Sequence, residues 1–331
     1  MKGVIIFGGT GFIGFHYAVY CLENNLVDSV VLADIRDIDF DRVTDKFKLY
    51  YDQGAIKFIN CDVRRKIEID FGFDIDFIVN LAAIHTTPGH ETNEYYETNI
   101  NGAINITAFA EMLGVKQIVF TSSISVYGPD EALKDEKSDL LPKSAYGFSK
   151  MLAENIHKSW FDRGSNHKLV IVRPAVVFGP GERGNFTRLA TLMRKGFFIY
   201  PGRKDTIKSC IYVADLITLI EAARTSNEKL ELLNGAYQER YTLENIIDAF
   251  KDVYFPNVKL YMLPKALVLA AAHILKALNF LNIGIHPERV IKLLVSTNIF
   301  PGWVESNHLK LSGNLETALK RWHDETGGRF S

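Results

Sequence analysis

Tyr146 and Lys150 stand four residues apart in the run Tyr146-Gly147-Phe148-Ser149-Lys150. On a helix that spacing puts a phenol and an ammonium on one face, one turn apart. A phenol titrates near about 10 unaided, and a neighbouring cation favours its ionised form. Bringing it to neutrality takes on the order of 4 kcal/mol of electrostatic preference, within reach of Lys150 and a second positive charge. The product is an acid/base that works near neutral pH. Ser123 closes a preceding apolar run and can hydrogen-bond the same substrate oxygen. A Tyr-x-x-x-Lys spacing alone is common by chance. The catalytic reading rests on its combination with Ser123 and with the turn described next.

That turn is Gly8-Gly9-Thr10-Gly11-Phe12-Ile13-Gly14, between the apolar run Val4–Phe7 and a segment, Phe15 to Glu23, that can continue as a helix. Gly8 permits the tight turn, Gly11 the approach of backbone to a pyrophosphate, and Gly14 the close packing of helix on strand. A helix N-terminus favours the phosphate itself. Val30–Ala33 reads as a second strand ending in Asp34, 20 residues past Gly14, the separation expected of an acid that binds ribose hydroxyls. Together these mark a dinucleotide site.

The elements that must hold these residues alternate. Apolar runs at Ile56–Cys61, Phe77–Ala83, Gln117–Phe120 and Leu169–Val172 read as strands. Helices are expected from Thr92 to Leu113, with Tyr96, Ile100, Ala103 and Thr107 on one stripe, and from Ser144 to Arg163. Residues 128–143 read as a charged, proline-containing loop. The class is α/β, a doubly wound parallel (Rossmann) sheet with ligands at the carboxyl ends of its strands. The sequence divides into a dinucleotide-binding domain, 1–173, and a smaller substrate lobe, 174–331, free to return strands or helices to the first. Helices at Val213–Thr225 and Thr242–Tyr254 fall in that lobe.

At 331 residues, 47% apolar and 23% charged, the chain suits one large globular unit. A formal net charge of −1 gives no pull toward nucleic acid or an anionic membrane. Cys21, Cys61 and Cys210 lack ligand or disulfide spacing, which argues for a reducing cytoplasm and no metal. Met1 runs straight into the first strand, so no leader is expected. The longest apolar tract, Leu263 to Leu281, is broken by Lys265, His273 and Lys276. It is a poor spanning helix and reads as an amphipathic cover over substrate or core.

From Met1 to about Gly235 the chain resembles the extended short-chain dehydrogenase/reductase family, in particular its nucleotide-sugar epimerases, dehydratases and ketoreductases. The Gly8–Gly14 turn, with Phe12 and Ile13, matches that family's cofactor loop, and Asp34 its ribose acid. Asp62-Val63 matches the pair that holds adenine, Leu81-Ala82-Ala83 the strand end beside the cofactor, and Asn99 a helix asparagine tied to the site. Thr121 to Gly128 resembles the catalytic-serine segment. Arg173 to Pro180, with Pro174 and Val177, resembles the loop beside the nicotinamide. The resemblance implies hydride exchange at a carbinol carbon, with Tyr146 as acid/base, Ser123 placing the oxygen, and Lys150 binding the nicotinamide ribose and depressing the Tyr146 pKa. Asp34 repels a 2′-phosphate, so NAD is expected over NADP, with Arg36 nearby as a possible softener of that preference.

Departures narrow the reaction. Ile124 and Ser125 stand where the family's 4,6-dehydratases carry an Asp-Glu pair, which argues against water loss. Reversible oxidation within an NAD-dependent nucleotide-sugar epimerase is the leading expectation, followed by a 4-ketoreductase of such sugars and a hydroxysteroid-like dehydrogenase. A cofactor-sensing regulator on the same fold would lack the Tyr/Lys pair that this chain keeps. For the nucleoside-diphosphate sugar, the candidates are His85, Ser123, Asn185 and Lys208, the last where relatives commonly place Arg. Arg183, Arg188 and Arg203 are alternative phosphate ligands, and His90 lies near His85. Val176 replaces an Asn of several galactose epimerases. The resemblance also implies a homodimer through the helices beginning at Thr92 and Ser144.

Overall fold

In the computed structural model, residues 2–69, 72–86, 89–268, 294–311 and 313–331 are described. Seven parallel strands form the central sheet: β1 (Lys2–Phe7), β2 (Ser29–Asp34), β3 (Ile56–Asn60), β4 (Asp74–Asn80), β5 (Gln117–Thr121), β7 (Lys168–Pro174) and β11 (Leu230–Gly235). Their spatial order is β11-β7-β5-β4-β1-β2-β3. The order reverses at β1, so the carboxyl ends of β1 and β4 flank a topological switch point. β2 is buried along its whole length and β1 from Gly3 to Phe7. Buried on both faces, such strands read as unbroken apolar runs. The doubly wound α/β class is confirmed.

Helices α1 (Phe12–Glu23), α2 (Asp45–Asp52) and α7 (Val213–Thr225) share the larger apolar cluster with one face of the sheet. Helices α4 (Gly102–Leu113) and α5 (Ala145–Arg163) cover the other. Ser144 caps α5, its hydroxyl accepting from Gly147 N–H, and Gly114, at φ 70°, ends α4. The helix expected to run unbroken from Thr92 is split. A short helix α3 (Thr92–Tyr96) passes into a π-type turn at Glu97–Asn101 before α4 begins. The extra residue displaces the expected stripe, so Tyr95 and Asn99 are buried whereas Tyr96 and Ile100 are only half-buried. Wide turns of this kind re-aim a side chain, and here Asn99 is turned inward.

The later half is built from short parallel pairs. They are β8 (Val176–Phe178) with β10 (Cys210–Tyr212), β9 (Phe197–Gly202) with β12 (Lys259–Pro264), and β6 (Asp130–Lys134) with β13 (Thr297–Ile299). Between them lie α6 (Asn185–Arg194), α8 (Leu243–Tyr254), α9 (Gly302–Ser306) and α10 (Leu315–Glu325). β11 lies beyond residue 173 and returns to the central sheet beside β7. β6 falls inside the stretch expected to be a loop. Its sequence, Asp-Glu-Ala-Leu-Lys, is mostly exposed and has no period-2 apolar face, so only pairing with the distant β13 makes it a strand. Of the tract Leu263–Leu281, only Leu263 to Val268 belongs to the described residues, so its expected covering role lies largely outside them. Among the described residues no helix is long and apolar enough to cross a membrane, and no group of side chains could hold a metal ion.

Two buried histidines tie α1 and α5 to their surroundings. His157 packs its ring on Phe120, centroids 4.1 Å apart, with Nδ1 2.8 Å from the Ala153 carbonyl and Nε2 3.2 Å from Asn80 Nδ2. A carbonyl can only accept, so Nδ1 carries the proton and Nε2 accepts from the amide. Protonating Nε2 would set donor against donor. Burial accordingly holds the His157 pKa down at about 4, and that of His16, whose Nε2 lies 2.9 Å from the Pro180 carbonyl, also at about 4. Both bind protons more readily when unfolded, so their contribution to stability is full above about 6.5 and is lost as pH falls toward about 4. Urea unfolding of His157→Gln across this window is expected to show a shallower loss of stability with acid than the wild type. An identical slope would exclude the buried neutral imidazole.

Candidate active site at the carboxyl edge of the sheet

The glycine turn follows β1 directly. Gly8 has φ 72°, and a Cβ there would lie 2.7 Å from the Ala82 nitrogen, so the turn and the β4 strand end meet backbone to backbone. A Cβ on Gly14 would reach 2.4 Å from the Gly9 carbonyl oxygen, which fixes the distance between α1 and the turn. At Gly11 the nearest atom to such a Cβ is the Gly8 oxygen, 3.1 Å away. Gly11 is also the residue that opens α1, and no side chain caps it. The first-turn N–H groups of Phe12, Ile13 and Gly14 are therefore spent on no capping side chain, as an anion site requires.

Asp34 ends β2 and is 7% exposed. Its Oδ1 accepts from Arg36 N–H at 3.2 Å, and its Oδ2 has no partner among the described residues. A buried carboxylate oxygen without a donor is costly, and two ribose hydroxyls would satisfy it. Val63 is buried beneath Gly102, while Asp62 is clamped by Arg64 through two bonds of 2.8 Å. At β4, Asn80 Oδ1 accepts from Ala82 N–H at 3.1 Å, which curls Leu81, Ala82 and Ala83 out of the strand. Pro174 ends β7, and Val177 sits in β8 just beyond it.

The three catalytic candidates converge on this edge. Ser123 follows β5 and its Oγ caps a short helical turn by accepting from Ser125 N–H at 3.1 Å. The Ser123 hydroxyl also bears on the Tyr146 phenol, favouring its ionised form. Lys150 is 2% exposed. Its Nζ donates to the Thr121 carbonyl at 2.7 Å and lies 4.7 Å from the Phe120 ring centroid. Burial pulls the Lys150 pKa down to about 7, against an opposing pull from Glu154. Burial pushes the half-buried Tyr146 phenol up, and only the Ser123 hydroxyl works the other way. The depression expected from Lys150 is for the pair together with a second positive charge; in the protein alone burial raises the phenol. The ammonium is anchored on a strand-end carbonyl one turn away, and desolvation dominates at the phenol.

The cradle and the triad match a known family along most of their length. The model for the NAD dependent epimerase/dehydratase family matches residues 4–234. The chain belongs to that family. It is 32% identical over 222 residues to the N-acetyl-alpha-D-glucosaminyl-diphospho-ditrans,octacis-undecaprenol 4-epimerase of Escherichia coli O157:H7, covering 66% of this chain and 62% of the relative. It is 29% identical over 189 residues to the decarboxylating sterol-4-alpha-carboxylate 3-dehydrogenase of Saccharomyces cerevisiae, covering 55% and 53%. The matched segments thus span less than two thirds of either relative's length. The UDP-Glc/GlcNAc 4-epimerase of Campylobacter jejuni superposes with a TM-score of 0.73 over 99% of each chain, at 19% identity, which shows the shared fold. The family is described as NAD dependent. The residues present fit NAD, with the uncapped start of α1 for its pyrophosphate and the unpartnered Asp34 Oδ2 for a ribose.

Other expected residues are placed as follows. Asn99 is expected among the cofactor-site residues, as a helix asparagine tied to the site. Its Oδ1 accepts from Ile84 N–H at 3.0 Å, and its Nδ2 donates to Ser149 Oγ at 2.8 Å and to the Ile84 carbonyl at 3.3 Å. It pins the β4 loop to α5. His85 is exposed on that loop, and desolvation together with the positive field of Lys150 and Arg36 holds its pKa below the ordinary value. Asn185 is the exposed first residue of α6. Lys208 Nζ donates to the Val295 carbonyl at 2.6 Å, and burial pulls its pKa down to about 8. Arg183 pairs with Asp39, and Arg203 with Asp205 and Glu131, while Arg188 is exposed. Among these alternative phosphate ligands, Arg183 and Arg203 already have carboxylate partners. His90 lies 3.4 Å from Glu94.

The sequence reading missed the buried support beneath the triad. Glu154, one turn past Lys150, takes both arms of Arg173 at 2.9 and 2.7 Å. Arg173 Nη1 donates to the Tyr127 hydroxyl at 2.8 Å, which in turn donates to Asn234 Oδ1 at 2.8 Å. The available signal was a Glu four residues beyond Lys150, on the same face of the same helix. Glu154→Ala strands a buried guanidinium, and its expected cost is roughly 3–5 kcal/mol by chemical unfolding. A loss below about 1 kcal/mol would show the pair to be solvated. Separately, Asp34→Ala should weaken NAD binding about 10- to 100-fold by calorimetry, the worth of charge-assisted bonds. Unchanged affinity would place the ribose elsewhere.

Proposed function

We propose that the protein is an NAD-dependent nucleotide-sugar epimerase that oxidises and re-reduces one sugar carbinol. The observation that carries this is the convergence of Ser123, just past the end of β5, with Tyr146 and Lys150 on α5, where Lys150 is held on the Thr121 carbonyl beside a dinucleotide cradle. Bound NAD supplies a hydride acceptor that becomes the donor for the return step. The protein's own work is to place and deprotonate the hydroxyl. Ser123 Oγ holds the sugar oxygen while Tyr146 Oη accepts its proton and later returns it. The Lys150 ammonium, held on Thr121, stabilises the phenolate. Ile124 and Ser125 supply no carboxylate for water elimination, which favours epimerisation over dehydration. A one-way 4-ketoreductase would use the same groups.

A second reading keeps the diphospho-sugar but hangs it on a lipid. The 32% identical relative acts on an undecaprenol-linked sugar, and the exposed apolar stretch Tyr261 to Leu267 suits such a substrate. We further propose a homodimer in the cytoplasm, supported by Phe148 and Leu152 on α5 and by Ile104 and Met112 on α4, all exposed apolar residues.

Tyr146→Phe is expected to lower turnover by at least about 10²-fold, the worth of one general acid/base, while leaving the NAD dissociation constant within a factor of about two. Assays would pair each nucleoside-diphosphate hexose with its 4-epimer, and an undecaprenyl-diphospho-sugar with its own. Full turnover by Tyr146→Phe would overturn the acid/base assignment.

A further inference from the structure

The later half presents an apolar face on the parallel pair β9–β12. In the parallel pair β9–β12, Lys259 lies beside Phe197, Tyr261 beside Ile199, and Leu263 beside Pro201. Neighbours in parallel register share a face. The opposite face carries Phe198 and Tyr200, which are buried, with Leu260 half-buried and Met262 46% exposed beside them. On the outer face Ile199 is 48% and Tyr261 53% exposed, and Phe197 and Leu263 are exposed as well. The chain then continues through exposed Lys265 and Ala266 to Leu267, which is 55% exposed. Scattered apolar surface residues are ordinary, whereas a contiguous set on one sheet face marks an interaction site.

Charge selects the partner. Exposed Lys195, Lys259 and Lys265 accompany the apolar residues, and the sequence from Val253 to Pro287 contains no Asp or Glu. Apolar residues mixed with lysine, on a stretch of chain without acid, match the boundary of an anionic bilayer, where acyl chains take the first and headgroups the second. A second copy is a worse partner, because two-fold pairing of this face would bring its lysines against their own mates. We infer that the outer face of β9–β12, with the Lys265–Leu267 segment, docks the enzyme on an anionic lipid surface. Such docking would leave the protein peripheral, since the described helices include none able to cross. It needs neither substrate reading, although a lipid-linked diphospho-sugar lies at the same surface.

The test is flotation of the full-length, NAD-loaded protein with vesicles of equal parts phosphatidylglycerol and phosphatidylcholine, against pure phosphatidylcholine. The wild type should float with the anionic vesicles, and less so at high salt. Lys259→Glu with Lys265→Glu, both exposed, should weaken partitioning about 30-fold, at the worth of one juxtamembrane lysine each. Tyr261→Asp with Leu263→Asp should abolish it. Unaltered thermal midpoints would show that these variants fold. Failure of the wild type to float, or flotation indifferent to both double variants, overturns the inference. So does self-association by light scattering that is lost in Tyr261→Asp with Leu263→Asp while no vesicle is bound, which assigns the face to a second copy. Turnover is not the readout, so failure here leaves the epimerase reading standing.

Discussion

The buried pair Arg173–Glu154 is the constraint on which the site depends. Glu154 is fully buried and Arg173 is 2% exposed. Burial alone disfavours the charged guanidinium, but its two bonds to Glu154 outweigh that and hold its pKa above the ordinary value. Taking both ions out of water costs several kcal/mol each, so the pair is a poor device for stability. Its value lies in what it joins. Glu154 sits one turn beyond Lys150 on α5, and Arg173 immediately precedes the Pro174 strand end. Tyr127, on the Ser123 segment, bonds both Arg173 and Asn234 of β11. Asn234 N–H donates to Glu136, which also accepts from Gly302 N–H at the start of α9. One connected set of hydrogen bonds thus fixes the catalytic helix, the serine segment, two strand ends and the lobe relative to each other.

A second network does the same for the cofactor side. The neutral His157 on α5 orients Asn80, Asn80 orients Ala82, and Ala82 meets Gly8. Asn99 adds a clamp from the π-type turn to Ile84 and to Ser149 of α5. Tyr146 and Lys150 are therefore placed against the glycine turn by side chains that need touch neither substrate nor NAD. Each of them is buried and has a hydrogen-bond partner, as low-dielectric surroundings require.

What was legible in the sequence follows from this division. Gly8, Gly11, Gly14 and Asp34 could be read because backbone geometry and a fixed spacing leave few alternatives. Tyr146 and Lys150 could be read because helical period relates them locally. The central strands were legible because they are buried on both faces and carry unbroken apolar runs. β6 was not, because its pairing with β13 spans the length of the lobe and its own residues are polar. The π-type turn was not, because Asn99 pays for it through bonds to Ile84 and Ser149 that have no local signature. The role of Arg173 was equally hidden, since nothing near it in the chain names Glu154 as its partner.

The electrostatics of the pair itself complete the picture. Burial raises Tyr146 and lowers Lys150, so it favours the neutral form of both. The bare protein therefore favours the protonated phenol. A further positive charge placed in the cleft would lower the phenol and would also disfavour the ammonium. Glu154 opposes that loss of the Lys150 proton, and the Thr121 carbonyl fixes where the Nζ sits. In the proposed cycle the phenolate would form when the oxidised, cationic cofactor and a hydroxyl on Ser123 are both in place, and the phenol would return its proton once the cofactor is reduced. Under that proposal chemistry is coupled to occupancy, because burial favours the protonated phenol until the charge arrives.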